Sequence, residues 1–153
     1  MTVVIGYVPN QYGEAALQVG LQEAEARQLR VIVVNASRGD AVVDKKFVNE
    51  QALSDLDERL TASGVDHRVH QSVGVDVGDE IVRVAEQNHA ELVVIGIRTR
   101  SPVGKVLMGS VAQTVIMDAP CPVLTVRPDV LGHSTDDPGD IVETGDPAPT
   151  SQA

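Results

Sequence analysis

The segment from residue 96 to residue 110 holds the residues whose types and spacing best suit ligand chemistry. It follows a short apolar run, contains several glycines, and ends in Gly109-Ser110, which opens a helical pattern. Glycine lets backbone N–H groups approach a ligand, and the free N–H groups at a helix N-terminus attract negative charge. Arg98, Arg100 and Lys105 add positive charge to a chain whose net charge is −10. The segment therefore predicts an anion site, such as one for phosphate.

The same segment matches neither of the common nucleotide fingerprints. Gly104-Lys105 is followed by Val106 rather than by Ser or Thr, and no GxGxxG follows the first apolar run. A second interpretation is a solvated loop in which the glycines turn the chain and the arginines contact water. Ser110 also has a structural interpretation, because serine is a preferred N-cap worth about 1 kcal/mol without a ligand. The pattern alone leaves the anion site and the solvated loop both open.

Short apolar runs alternate with amphipathic segments along the first 126 residues. Continuous apolar runs are typical of buried parallel strands, whereas the third run alternates valines with polar residues and predicts an edge strand. In the fourth helix we expect Val111, Ala112, Val115 and Ile116 to face inward. The predicted strands are residues 2–7, 30–35, 67–73, 92–95 and 123–126, and the predicted helices are residues 14–29, 47–63, about 77–88 and 109–119, with Gly64 as a C-cap and Asp76 as an N-cap.

This alternation predicts an α/β fold, a doubly wound five-stranded parallel sheet with helices on both faces. Ligands in such sheets bind beyond the carboxyl ends of the strands, where the strand order reverses. The loops after the first and fourth strands carry the unusual glycine chemistry, so we place those strands side by side. The strand order is then 3-2-1-4-5, with the alternating third strand at an edge.

Composition limits the class of protein further. The chain has 153 residues, a one-domain length, and its net negative charge argues against nucleic acid or an anionic membrane as partner. Residues 129–153 hold six acidic residues and no Lys or Arg, and we expect a disordered acidic tail after a domain of residues 1–128. A single cysteine, no signal-peptide pattern and no long apolar run predict a cytoplasmic protein that does not span a membrane.

The spacing within the basic segment resembles that of the universal stress protein family. Its members have a strand, then Gly, two residues, Gly, nine residues, and Gly-Ser or Gly-Thr. Here Gly96 begins the pattern, residues 100–108 supply the nine residues, and Gly109-Ser110 end it. The closing Ala-Pro-Cys-Pro-Val-Leu of residues 119–124 is also similar, and the middle of the segment looks like an actinobacterial version. The resemblance covers residues 2–128 and implies an adenine nucleotide alpha hydrolase-like fold.

The resemblance also implies a ligand and a partner. The ligand is an adenine nucleotide, ATP accompanied by Mg²⁺, and the partner is a second copy bound through the last strand, Val123–Val126. Adenine and ribose would lie near Val8 and at Ala36. Six residues around the phosphates are carried over by position from the family motif, namely Gly96, Arg98, Gly109, Ser110, Val111 and Ala112. The charged middle of the loop adds Arg100, Gly104 and Lys105 to the same site.

Two positions depart from the family pattern. Thr99 replaces the second motif glycine, and Val8 replaces the acidic residue that usually follows the first strand. Arginines can offset this loss because guanidinium groups bind phosphate oxygens bidentately. Three hypotheses follow: an ATP-binding stress-response sensing module, a nucleotide-free dimeric interaction module, and a slow ATP hydrolase without an obvious general base in the loop.

The remaining titratable residues favour structural roles. His67 and His70 lie three apart on a predicted strand and therefore point to opposite faces, which argues against a shared metal. Cys121 lies between two prolines with no candidate base beside it, and we expect it to be a small residue packed in the interior. No catalytic residue or metal ligand is assigned from the sequence.

Overall fold

A computed structural model of the chain describes residues 1–39, 47–98 and 108–128. Within these ranges all strand pairs are parallel, and the strand order is 3-2-1-4-5 as predicted. The third strand lies at one edge of the sheet, which explains its alternating pattern. The elements are β1 (Thr2–Gly6), α1 (Gln11–Arg27), β2 (Arg30–Ser37), α2 (Glu50–Ser63), β3 (His67–Val73), α3 (Val77–Gln87), β4 (Ala90–Gly96), α4 (Ser110–Asp118) and β5 (Val123–Val126).

The sheet separates two hydrophobic clusters, one on each face. Alternation along β1 shows the division, because Val3 and Ile5 pack with α1 and α2 whereas Val4 packs with α3 and α4. All three side chains have no exposed surface. Burial of a valine or isoleucine side chain contributes about 1.5–3 kcal/mol, so the central strands supply much of the driving force for folding. Helices on both faces are confirmed.

Three helices have N-caps that fix where they begin. The side chain of Asn10 accepts hydrogen bonds from the N–H groups of Tyr12 and Gly13, so α1 begins three residues before its predicted start. Asn49 caps α2 in the same way, and that helix begins at Glu50 instead of residue 47. The predicted cap at Asp76 is confirmed, and so is Gly64 as C-cap of α2, with φ 77°.

β2 and β4 are longer than predicted. Parallel pairing continues past the apolar run of β2, where residues 35–37 pair with residues 71–73 of β3. Backbone pairing does not require an apolar side chain, so the pattern of apolar residues underestimates the length of a strand.

The α4 helix departs from its predicted details. It begins at Ser110 with Gly109 as N-cap, so the interpretation of Ser110 as the N-cap was wrong. Ala112 and Val115 are buried as predicted, but Val111 and Ile116 are 37% and 39% exposed. This helix packs beside α3, and its buried residues, Ala112 and Val115, form a single narrow stripe. None of the helices in the described ranges has the length and apolar character needed to cross a membrane.

Candidate functional site

The centre of the sheet contains a topological switch point. β1 and β4 are neighbours, but the chain leaves β1 toward β2 on one side and leaves β4 toward β5 on the other. The connections therefore diverge at the carboxyl ends of these two strands, which is where doubly wound sheets have their ligand-binding crevice. The helices that follow parallel strands begin at this same edge, so the N-termini of α1 and α4 both lie there.

The start of α1 packs directly against the end of β4. A Cβ atom on Gly96 would clash with the backbone carbonyl of Tyr12, and one on Gly13 would clash with the carbonyl of Val8. Glycine at position 96 is therefore required by backbone packing, irrespective of any ligand. The contact also fixes the first turn of α1 beside the end of β4.

Arg98 leaves the end of β4 and lies over the ring of Tyr12. Its Nε donates a 2.8 Å hydrogen bond to the Tyr12 hydroxyl, and its guanidinium carbon is 5.5 Å from the ring centroid. The side chain is exposed, and within the described ranges no carboxylate pairs with it. Within those same ranges, the arginines that do pair with a carboxylate are Arg27, Arg30, Arg38, Arg59 and Arg83.

The N-terminus of α4 differs from the other helix starts in the described ranges because no side chain caps it. Its N-cap is Gly109, and the N–H groups of the first turn belong to Ser110, Val111 and Ala112. Ser110 and Val111 are exposed. Uncapped N–H groups at a helix N-terminus carry a partial positive charge and can donate to an anion.

Asn35 is a buried polar residue that sequence reasoning missed. Its Nδ2 donates to the carbonyl of Tyr7 at 3.0 Å, and its Oδ1 accepts from the N–H of Val48 at 2.9 Å. The Nε2 of Gln71 also donates to this oxygen, at 3.1 Å. Asn35 therefore links the loop after β1 to the segment that enters α2. The sequence did contain a sign of this role, because Asn35 is a polar residue directly after the continuous apolar run of residues 31–34.

The predicted contacts for adenine and ribose occupy different environments. Val8 is half-buried and lies two residues after the end of β1. Ala36 is the penultimate residue of β2 and is only 4% exposed, so its side chain belongs to the core and only its backbone is suited to a ligand. Thr99, Arg100, Gly104 and Lys105, and the predicted tail of residues 129–153, lie outside the described residues.

The acid nearest to Val8 in the sequence, Glu14, is already engaged. The Tyr7 hydroxyl donates to it at 2.7 Å, and Arg59 donates to both of its oxygens at 3.1 and 2.6 Å. Hydrogen bonding from Arg59 lowers the pKa of Glu14, while burial and the neighbouring Glu14 raise the pKa of Tyr7 to about 12. Glu14 therefore does not replace the acid that is missing at Val8.

The histidines lie on opposite faces of β3, as predicted. His67 contacts Asp57 of α2 at 3.0 Å, and His70 contacts Glu80 of α3 at 2.8 Å. Cys121 is half-buried against the α3–α4 cluster, and burial raises the pKa of its thiol. Over the parts of the chain that the structure describes, no group of His, Cys, Asp and Glu is arranged to hold a metal ion.

The strand order defines the class of this protein as a doubly wound α/β protein with a topological switch point between β1 and β4. The profile of the universal stress protein family matches residues 1–127. A universal stress protein from Mycolicibacterium smegmatis is 44% identical over 126 residues, which cover 82% of this chain and 97% of that protein. The chain belongs to the universal stress protein family.

Solved structures of family members agree with this fold. A universal stress protein from Archaeoglobus fulgidus is 32% identical, with a TM-score of 0.69 over 82% of this chain and 98% of that one. A structure from the same organism in complex with dAMP is 27% identical, with a TM-score of 0.58 over 82% and 97% of the two chains. A universal stress protein in complex with cAMP is 25% identical, with a TM-score of 0.63 over 83% and 96%. The fold is adenine nucleotide alpha hydrolase-like.

Proposed function

We propose that this protein binds an adenine nucleotide, ATP accompanied by Mg²⁺, in the crevice between β1 and β4. The observation that carries the proposal is the uncapped N-terminus of α4 at the same sheet edge as Arg98, a cation without a carboxylate partner in the described ranges. Both features suit phosphate. The complexes of family members with dAMP and cAMP support the adenine part of the proposal.

Each part of the nucleotide has residues suited to it. The first-turn N–H groups of α4 would donate to phosphate oxygens, and the planar guanidinium of Arg98 would bind two of them. Adenine and ribose would lie beside Val8 and the backbone of Ala36. Gly96 would contact the ligand only through its own backbone atoms, because the Tyr12 carbonyl fills the space beside its Cα. Arg100, Gly104 and Lys105 remain predictions for the phosphate side. A bound Mg²⁺ would neutralise phosphate charge.

We further propose that binding serves stress-response sensing rather than rapid turnover. Occupancy of the crevice would alter partner binding or oligomeric state. Glu14, the acid nearest to Val8 in the sequence, is held by Arg59 and Tyr7 and is not available as a general base. ATP hydrolysis is therefore expected to be slow at most. A cytoplasmic location is part of the same proposal, because a chain with one cysteine suits a reducing compartment.

Calorimetric titration with ATP tests the binding site. The wild-type protein is expected to bind ATP, and Arg98→Ala is expected to weaken binding about tenfold because a charge-assisted phosphate contact is lost. Binding by the wild type should also weaken as salt is added, because exposed charges are screened.

The matched control is Arg68→Ala on the edge strand β3, where the exposed arginine donates to Asn88. Arg68→Ala has the same net charge as Arg98→Ala and should bind ATP as tightly as the wild type does. No detectable heat at millimolar ATP would overturn the proposal.

A second candidate function is a dimeric interaction module, and β5 supports it. This strand lies at the edge of the sheet, paired with β4. Ile97 N–H donates to the carbonyl of Val126, so alternation along the strand directs the N–H of Thr125 away from β4, toward the outer edge of the described sheet. An apolar open edge favours pairing with another strand. The exposed Val111, Ile116 and Met117 of neighbouring α4 add apolar surface.

The dimer is tested by Thr125→Pro. Proline removes an outward N–H and leaves the pairing with β4 intact, because edge strands tolerate proline at such positions. We expect wild-type protein to elute at the mass of a dimer in light-scattering chromatography and the variant at the mass of a monomer. Circular dichroism should show equal helix content in both proteins. A monomeric wild type, or a variant that remains dimeric, would refute pairing through β5.

A further inference from the structure

We propose that Tyr12 is a positioning residue that holds Arg98 for the phosphate end of the ligand. The inference rests on the proposed nucleotide site and adds a residue that replaces part of what the missing acid at Val8 would supply. Tyr12 is separated from Arg98 by 86 positions in the chain, and the two side chains meet only because β1 and β4 are neighbours.

The backbone of Tyr12 is fixed from two sides. Its N–H donates to the side chain of Asn10 at 2.9 Å, which anchors it in the first turn of α1. Its carbonyl lies against Gly96, so closely that a Cβ atom there would clash. The Cα of Tyr12 is therefore held in one position, and the side chain extends from that fixed point. The ring is half-buried, and its position follows from packing of α1 on β4.

The contact between the two side chains uses one nitrogen of the guanidinium. Nε donates to the Tyr12 hydroxyl at 2.8 Å, and the ring lies 5.5 Å from the guanidinium carbon. The terminal Nη1 and Nη2 groups are not engaged by any carboxylate in the described ranges. Arginine binds phosphate through a planar pair of N–H groups, and these nitrogens supply such a pair.

Holding the arginine in advance strengthens phosphate binding. A free arginine loses much rotamer freedom when it binds a ligand, whereas one held by a ring and a hydroxyl has already lost part of it. The positive charge of Arg98 also stays uncompensated by this contact, because its partner is a hydroxyl rather than a carboxylate that would repel phosphate. The pair is thus better suited to a polyphosphate than a surface arginine in an ion pair such as Arg27–Glu23.

A double-mutant cycle with ATP tests the inference. Tyr12→Phe removes the hydroxyl and keeps the ring, and we expect ATP affinity to fall about fivefold because Arg98 then has more rotamer freedom to lose when it binds the phosphates. Tyr12→Leu removes the ring as well and should approach the loss seen for Arg98→Ala. In the Arg98→Ala background, Tyr12→Phe should have no further effect, since Tyr12 acts only through Arg98.

The cycle separates positioning from a general structural role. A structural role would weaken ATP binding equally with and without Arg98, and that result would overturn the inference while leaving the nucleotide site intact. Wild-type affinity in Tyr12→Phe would do the same. Failure of the wild-type protein to bind ATP would overturn the proposed function and this inference together. Urea denaturation of Tyr12→Phe should match the wild type and confirm that the fold is unchanged.

Discussion

Gly96→Ala is expected to lower the free energy of unfolding by about 3 kcal/mol, at the upper end of what overpacking costs. The added Cβ would clash with the backbone carbonyl of Tyr12, and backbone in the first turn of a capped helix cannot move as a side chain tip can. Relief of the clash requires α1 to shift from β4. Urea denaturation followed by circular dichroism measures the effect.

Gly109→Ala is the matched control, because it changes the other end of the same motif. A Cβ atom at Gly109 would meet no atom of the described residues within 4 Å, and Gly109 has an ordinary φ of −67°. Alanine is a poorer N-cap than glycine, so we expect a loss below about 1 kcal/mol. Equal losses for the two variants would show that the end of β4 accommodates a side chain and that Gly96 is not a packing glycine.

Glu80→Gln is expected to destabilise the protein by about 2–3 kcal/mol at neutral pH, because the buried carboxylate that accepts several hydrogen bonds is replaced by a neutral amide. The carboxylate is 5% exposed. Arg83 donates to both oxygens at 2.7 Å, and Ser72 donates at 2.6 Å. His70 lies at 2.8 Å and joins the edge strand β3 to the same group on α3. The neutral amide of glutamine cannot accept all of these bonds.

The pH dependence of stability provides a second measurement on Glu80. Hydrogen bonding from Arg83, and then from Ser72 and His70, holds the pKa of the carboxyl well below its ordinary value of 4.5. A group with a lowered pKa stabilises the folded state above the unfolded-state pKa, and that contribution is lost as pH falls toward the folded-state pKa. We therefore expect wild-type stability to decrease below about pH 4.5 more steeply than that of Glu80→Gln.

Glu23→Gln is the control for this pair of measurements. Glu23 forms an exposed ion pair with Arg27 at 3.1 Å within α1, and such pairs contribute about 0.5 kcal/mol or less. Its stability curve should follow that of the wild type. If Glu80→Gln matched Glu23→Gln at neutral pH, the buried network would not be what holds β3 to α3.

Much of the architecture could be predicted from local patterns. Continuous apolar runs identified the buried strands, and the alternation of residues 67–73 identified the edge strand. Gly64 and Asp76 were recognised as caps because capping depends on a few neighbouring residues. Asn10 and Asn49 carried the same kind of signal and were missed, which displaced the starts of α1 and α2 by three residues.

The contents of the site could be predicted only in part. The motif located Gly96 and Arg98 at the carboxyl end of β4 and Gly109 at the start of α4. It could not show that Gly96 is needed for packing against Tyr12, nor that Arg98 lies on that ring. Periodicity also assigned Val111 and Ile116 to the interior of α4, because it cannot show how much of a helix the neighbouring elements cover.

The sequence by itself therefore determined the order of strands and helices, the edge position of β3 and the family motif. Only the tertiary structure decided the partners of Asn35, Glu80 and Tyr12. The physical reason is range. Apolar periodicity and helix capping act within a few residues. Tyr12 and Arg98 are 86 positions apart, Asn35 and Gln71 are 36 apart, and Glu80 and His70 are 10 apart. Tyr12 and Arg98 meet because the strand order places the start of α1 beside the end of β4, whereas Asn35 and Glu80 reach partners on the edge strand β3.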